Sequence, residues 1–209
     1  PSSTSPMNSA SAATDIESTG GYFGVPWRKA MMWLFIVNDA LLFAGFLTAY
    51  MFCRLSTADV VPWPDRAEVF SLNFITAMTF ILITSSATMA MAVKASRFGD
   101  TRMATRMTLL TAIGGLVFLG MQVIEWTHFI GDGARLTSNP WGVPGFASYF
   151  FAMTGLHGTH VLIGVLILFL TARGSARDSD GADTVEVVGL YWHFVDLVWV
   201  FIFGCFYLL

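Results

Sequence analysis

Apolar residues gather into five runs, at 29–53, 70–93, 107–130, 146–172 and 187–209. A helix needs about 20 such residues to cross the hydrocarbon core of a bilayer, and all five reach that length. Polar connections separate them. The first, 54–69, holds Pro62, Trp63 and Pro64; the second, 94–106, is basic. The third, 131–145, contains Asn139, Pro140, Trp141 and Pro144; the fourth, 173–186, is polar, with acids after its arginines. The pattern predicts an all-α polytopic bundle of five transmembrane helices within 27–209. Residues 1–26, rich in Ser, Thr, Ala and Gly, read as a flexible tail and lack the basic start and apolar core of a secretory signal. No connection has room for a soluble domain, and no internal repeat is visible.

Composition supports a lipid-wetted surface. The chain of 209 residues is 55% hydrophobic and 12% charged, where a soluble domain carries roughly 25% charged residues. A net charge of -3 gives no footprint for nucleic acid. The two cysteines, Cys53 and Cys205, form no disulfide framework, and without CxxC or CxxCH neither a thiolate cluster nor a c-type haem is supported. Basic residues set a direction. Arg28, Lys29, Lys94, Arg97, Arg102, Arg106, Arg173 and Arg177 fall on one side, and Arg54, Arg66 and Arg135 on the other. The first side is therefore expected to be cytoplasmic, with the N-terminus inside and the C-terminus periplasmic. Trp27, Trp63 and Trp141 fall at the expected interfaces.

Ionisable residues inside the runs are the candidate functional groups, because each costs about 2.5–3.5 kcal/mol at the membrane centre and needs a partner. Asp39 lies near the middle of the first run, beside Asn38. Glu125 lies in the third, sharing a helical face with Gln122 and His128. His157 and His160 sit three apart in the fourth run, among Gly155, Gly158 and Gly164, a spacing of small residues suited to close helix contact. A hydrogen bond from His157 to Glu125 is one way to house it. In the fifth run His193 is placed near the cytoplasmic interface with Asp196 one turn deeper, while Trp192 and Trp199 share a face. The second run carries Asn73, Thr76, Thr79, Thr84, Ser85, Ser86 and Thr88, and reads as a packing helix whose hydroxyls can back-bond to its own turns. A metal site would have to be drawn from His157, His160 and Glu125, whose spacing fixes no geometry, so none is expected.

Taken together, these motifs resemble the subunit III family of haem–copper oxidases. The resemblance covers all five runs. It rests on Thr154-Gly155-Leu156-His157-Gly158-Thr159-His160-Val161 and on Tyr191-Trp192-His193-Phe194-Val195-Asp196 with Trp199. Leu72-Asn73, Ser85-Ser86, and Gln122 and Glu125 followed by an aromatic add to it. The mitochondrial form has seven helices; five match the shorter bacterial form. The family's intramembrane glutamate falls on Asp39, one methylene shorter.

The resemblance implies a non-catalytic subunit of a respiratory terminal oxidase that reduces oxygen to water and pumps protons. It implies no redox centre in this chain, with haems and copper in the partner catalytic subunit I. It further implies contacts with other oxidase or supercomplex subunits, bound phospholipid, support of proton uptake, and residence in the bacterial inner membrane. Of the polar residues, Asp39, Glu125, His157, His160, His193 and Asp196 become proton-linked or structural groups; Trp192, Trp199, Gly155 and Gly158 become lipid or helix-packing residues. The accessory subunit of a nitric oxide reductase shares this five-helix form. A stand-alone proton-coupled transporter using Asp39, Glu125 and His157 would predict an inverted repeat that the chain lacks.

Overall fold

The computed structural model describes residues 27–57, 59, 63, 71–138, 140–143, 145–174 and 181–208. The tail at 1–26 lies outside the described residues, as do Pro62, Pro64, Arg66, Asn139, Pro144, Arg177, Asp178 and Asp180 from the connections. Five helices account for nearly all of what is described: α1 (Trp27–Thr57), α2 (Leu72–Arg97), α3 (Thr101–Gly131), α4 (Phe146–Gly174) and α5 (Gly181–Ile202). A π-helical segment, Phe203–Leu208, continues α5. All five are long and apolar enough to cross a membrane. Among the described residues there is no strand; an isolated bridge joins Arg135 to Ser138 between α3 and α4.

The helices outrun the apolar stretches, most clearly at two starts. α3 begins at Thr101, where Asp100 caps it by accepting a hydrogen bond from Met103 N at 2.9 Å. Just before it, Gly99 takes a φ of +79°, which lets α2 and α3 reverse in a few residues. α5 begins at Gly181, so His193 and Asp196 lie near the middle of the Gly181–Leu208 span.

α2, α3, α4 and α5 form a closed ring of neighbours, and α1 lies outside it against α5 and, less, α4. α1 accordingly buries only Asp39, Phe43 and Tyr50, whereas α5 buries residues on nearly every side. At one end of the bundle, Lys29 of α1 pairs with Asp183 (3.6 Å) and Glu186 (3.1 Å) of α5, and Arg97 of α2 pairs with Glu186 (3.0 Å). Pairs this exposed are worth about 0–1 kcal/mol each, so they align ends more than they stabilise the bundle. At the opposite end Tyr50 stacks on Phe206 at 4.3 Å, tying α1 to the π-helical segment.

Glycines admit bulky side chains rather than bare backbone. A Cβ at Gly115 would lie 2.5 Å from the Trp192 ring and 2.7 Å from Val165; one at Gly164 would lie 3.1 Å from both Trp192 and Tyr191. Gly155 faces Trp126 and Gly158 faces the Gln122 amide in the same way. Gly115→Ala should therefore destabilise the bundle by about 1–3 kcal/mol through overpacking, read as a lower unfolding temperature in detergent. Gly120→Ala, with nothing within 4 Å of the added carbon, should leave that temperature unchanged.

Candidate functional site

The two polar groups that most needed a partner meet across α1 and α4. Asp39 Oδ1 lies 3.4 Å from His160 Nε2, and Asp39 is buried. The other ring nitrogen, His160 Nδ1, lies 2.8 Å from the Leu156 carbonyl oxygen. A carbonyl only accepts, so Nδ1 carries a proton and donates it. Nε2 is left facing Asp39. A neutral pair then keeps one proton, held on the carboxyl or on Nε2. Asp39 Oδ2 is buried without a hydrogen-bond partner. Phe43 closes edge-on against the imidazole at 5.8 Å, and Tyr191 of α5 donates to the His160 carbonyl at 3.0 Å. The pair thus sits where α1, α4 and α5 meet.

A second set joins α5 to α2. Trp192 Nε1 donates to Ser85 Oγ at 3.1 Å, and Trp199 Nε1 donates to Thr79 Oγ1 at 3.0 Å. Each hydroxyl spends its own proton on its helix, Ser85 on Leu82 O and Thr79 on Ile75 O. Between the tryptophans, Ser86 Oγ lies 2.6 Å from His193 Nδ1. Asp196 Oδ1 is buried with no partner. His193 is therefore tied to a serine of the neighbouring helix.

A third set lies on α3. Gln122 Nε2 donates to the Thr154 carbonyl at 2.8 Å and Trp126 Nε1 donates to Thr154 Oγ1 at 3.1 Å, fixing α3 on α4. Glu125 Oε1 accepts from Tyr207 OH at 2.8 Å, while Oε2 has no partner. The hydrogen bond between Glu125 and His157 is not formed. His157 is fully buried, 5.1 Å from the Trp199 ring and 5.7 Å from Phe118 by centroids, and neither ring nitrogen has a hydrogen-bond partner. His128, on α3 with Glu125, is exposed. The three residues from which a metal site might have been drawn thus go three separate ways. Among the described residues no three of His, Cys, Asp and Glu converge as a metal cage. Tyr207 is a hydrogen-bonding partner that the sequence reading missed, and Tyr191 and Ser86, quoted there as motif and packing residues, were given no partner. A phenol or hydroxyl within an apolar run, needing its own hydrogen bond, was the available signal.

Comparison with known proteins gives the family. The family model described as "Cytochrome c oxidase subunit III" matches residues 21–209. The chain belongs to this family. Among its subunit III relatives is "Cytochrome c oxidase subunit 3" of Alkalihalophilus pseudofirmus, 34% identical over 180 residues, covering 85% of this chain and 84% of the relative. "Quinol oxidase subunit 3" of Bacillus subtilis is 34% identical over 182 residues, with 85% and 84% covered. "Probable quinol oxidase subunit 3" of Staphylococcus saprophyticus is 31% identical over 187 residues, with 87% and 89% covered. This subunit III is a non-catalytic component of a respiratory haem–copper oxidase and a multi-pass protein of the bacterial inner membrane. Subunit III proteins have no metal centre of their own, and they work beside other oxidase subunits.

The Glu125–Tyr207 contact gives a direct test of how buried polar groups hold this subunit together. Tyr207→Phe leaves both carboxyl oxygens of Glu125 without a partner. It should cost about 1–3 kcal/mol, seen as a lower unfolding temperature of the purified protein.

Proposed function

We propose that this subunit docks on the catalytic subunit I, which holds the haems and copper, and that its Asp39–His160 pair supports proton uptake there. In this reading the N-terminus is cytoplasmic and the C-terminus periplasmic, in line with the excess of Lys and Arg on the N-terminal side. The observation that carries the proposal is the pair itself. A carboxyl and an imidazole stand 3.4 Å apart inside the membrane, with one imidazole nitrogen spoken for by Leu156. Such a pair exchanges a neutral form for an ion pair by moving one proton over a short distance. Its charge distribution therefore responds to the field of neighbouring groups, and a low local dielectric strengthens that response.

Phospholipid is the second proposed ligand. The groove between α3 and α4, lined by Leu119, Gln122, Trp126, Gly155, Gly158 and Leu162, encloses about 340 Å³ and offers a mostly apolar wall at membrane depth. An acyl chain suits that lining. His157, Glu125, His193 and Asp196 are read as structural groups, with Trp192 and Trp199 as the packing residues that position them.

Asp39→Asn should leave the complex assembled, with an unchanged haem spectrum. It should hasten inactivation during sustained oxygen consumption. Asp39→Glu, which keeps the carboxyl, should behave like the natural protein. Activity that stays the same over many turnovers in Asp39→Asn would sink the proton-uptake role.

A further inference from the structure

The exposed face of α3 carries charge at its start and an apolar channel just beyond it. Arg102 and Arg106 come first, both exposed and one turn apart. Leu110 and Ile113 follow on the same face, four and seven residues past Arg106, and are 47% and 52% exposed. The two arginines, with Thr101 and Thr105, line an open hollow of about 260 Å³. Leu110 and Ile113 form one wall of a groove of about 330 Å³ between α3 and α2, with Phe80 and Ile81 on the far side. The helices touch along its floor, where a Cβ on Gly114 would lie 2.8 Å from that of Ser85.

Neither guanidinium is balanced from within the described chain. The ion pairs there involve Lys29, Arg97 and His160, and no described carboxylate pairs with Arg102 or Arg106. Asp100, the nearest acid in sequence, spends its carboxylate on Met103 N. Two positive charges where the apolar run of α3 begins call for an anion. The groove has the opposite character. Thr84 donates to Phe80 O at 2.7 Å, Ser85 to Leu82 O at 2.6 Å and Thr88 to Ser85 O at 2.7 Å, so no hydroxyl in it is left without a partner. A hydrocarbon chain, which offers neither donor nor acceptor, therefore suits it better than a polar helix face. The dimensions agree. The groove opens at Leu110, about 6 Å of helix rise beyond Arg106. On α2 it runs from Thr88 to Phe80, about 12 Å, which fits within the 15 Å or so of one leaflet's hydrocarbon.

We infer that the start of α3 and the α2–α3 groove together hold one anionic phospholipid, with its phosphate between Arg102 and Arg106 and an acyl chain along Leu110, Ile113 and Gly114. The guanidinium fork matches phosphate oxygens with paired N–H donors. The headgroup is one without an ammonium, because choline or ethanolamine would bring a further positive charge beside two unbalanced guanidiniums. This site is separate from the lipid groove proposed between α3 and α4, and it depends on no step of proton uptake.

A photo-reactive lipid tests it on the complete purified complex in phosphatidylcholine vesicles. Phosphatidylglycerol bearing a diazirine on one acyl chain is added in trace amount, with the matching phosphatidylcholine probe run in parallel. After irradiation, peptide mass spectrometry locates the adducts. The phosphatidylglycerol probe should mark 80–88 and 110–114 in preference to the choline probe, by about fivefold for each arginine engaged. Arg102→Gln with Arg106→Gln should bring the two probes level there, whereas lysine at both positions should keep a preference for phosphatidylglycerol. Both side chains are exposed, so co-purification with the other subunits should be unchanged in either variant. Equal marking by the two probes in the natural protein, a preference that survives the double glutamine variant, or no adduct in the groove would each overturn the site. Glycerol phosphate at the concentration of the probe should not compete. Competition by it would assign the arginines to a free phosphate and overturn the lipid.

Discussion

Two indole N–H groups on α5, resting on two hydroxyls of α2, set the register on which the rest of the bundle depends. A donor inside a membrane has no water to turn to, so it must find its acceptor within the protein. Ser85 and Thr79 are suited to accept because each has already given its own proton to a carbonyl one turn back. Trp192 and Trp199 then fix both the rotation and the height of α5. Once α5 is set, Tyr191 reaches the His160 carbonyl and Tyr207 reaches Glu125. Sliding α5 by one residue would uncouple all four contacts together. Coupling of this kind makes polar contacts in a membrane protein act as a registration device more than as a sum of separate stabilising terms.

Glycine placement follows from the same constraint. Tryptophans that must reach across to a hydroxyl need somewhere to put the rest of the ring. Gly115 and Gly164 make that space for Trp192, and Gly155 does so for Trp126. The spacing of small residues on α4 therefore signals close packing, as read from sequence. The objects packed closely are aromatic rings from α3 and α5.

Hydropathy alone located all five spans. It was a poorer guide to their ends, because apolarity marks where lipid begins, whereas a helix begins where its backbone is capped. α3 and α5 each start six residues ahead of the apolar run. Candidate residues were also legible as a set, since any ionisable group in an apolar run stands out. Their pairings were less so. Asp39 and His160 are 121 positions apart, and no periodicity within one helix reveals which neighbour it will meet. Glu125 found Tyr207 rather than His157 because the π-helical segment after Ile202 turns that phenol inward, a local departure from α-helical spacing that the residues there do not announce.

His160 has one nitrogen committed to its own helix, and this limits what the imidazole can be. A histidine that passes protons along a chain takes one in at one ring nitrogen and releases another from the opposite side. With Nδ1 aimed at the Leu156 carbonyl, that second side leads only to backbone. In the proposed proton-uptake role, the Asp39–His160 pair therefore acts as a capacitor and not as a wire: it is charged and discharged through Asp39, but current does not flow through it.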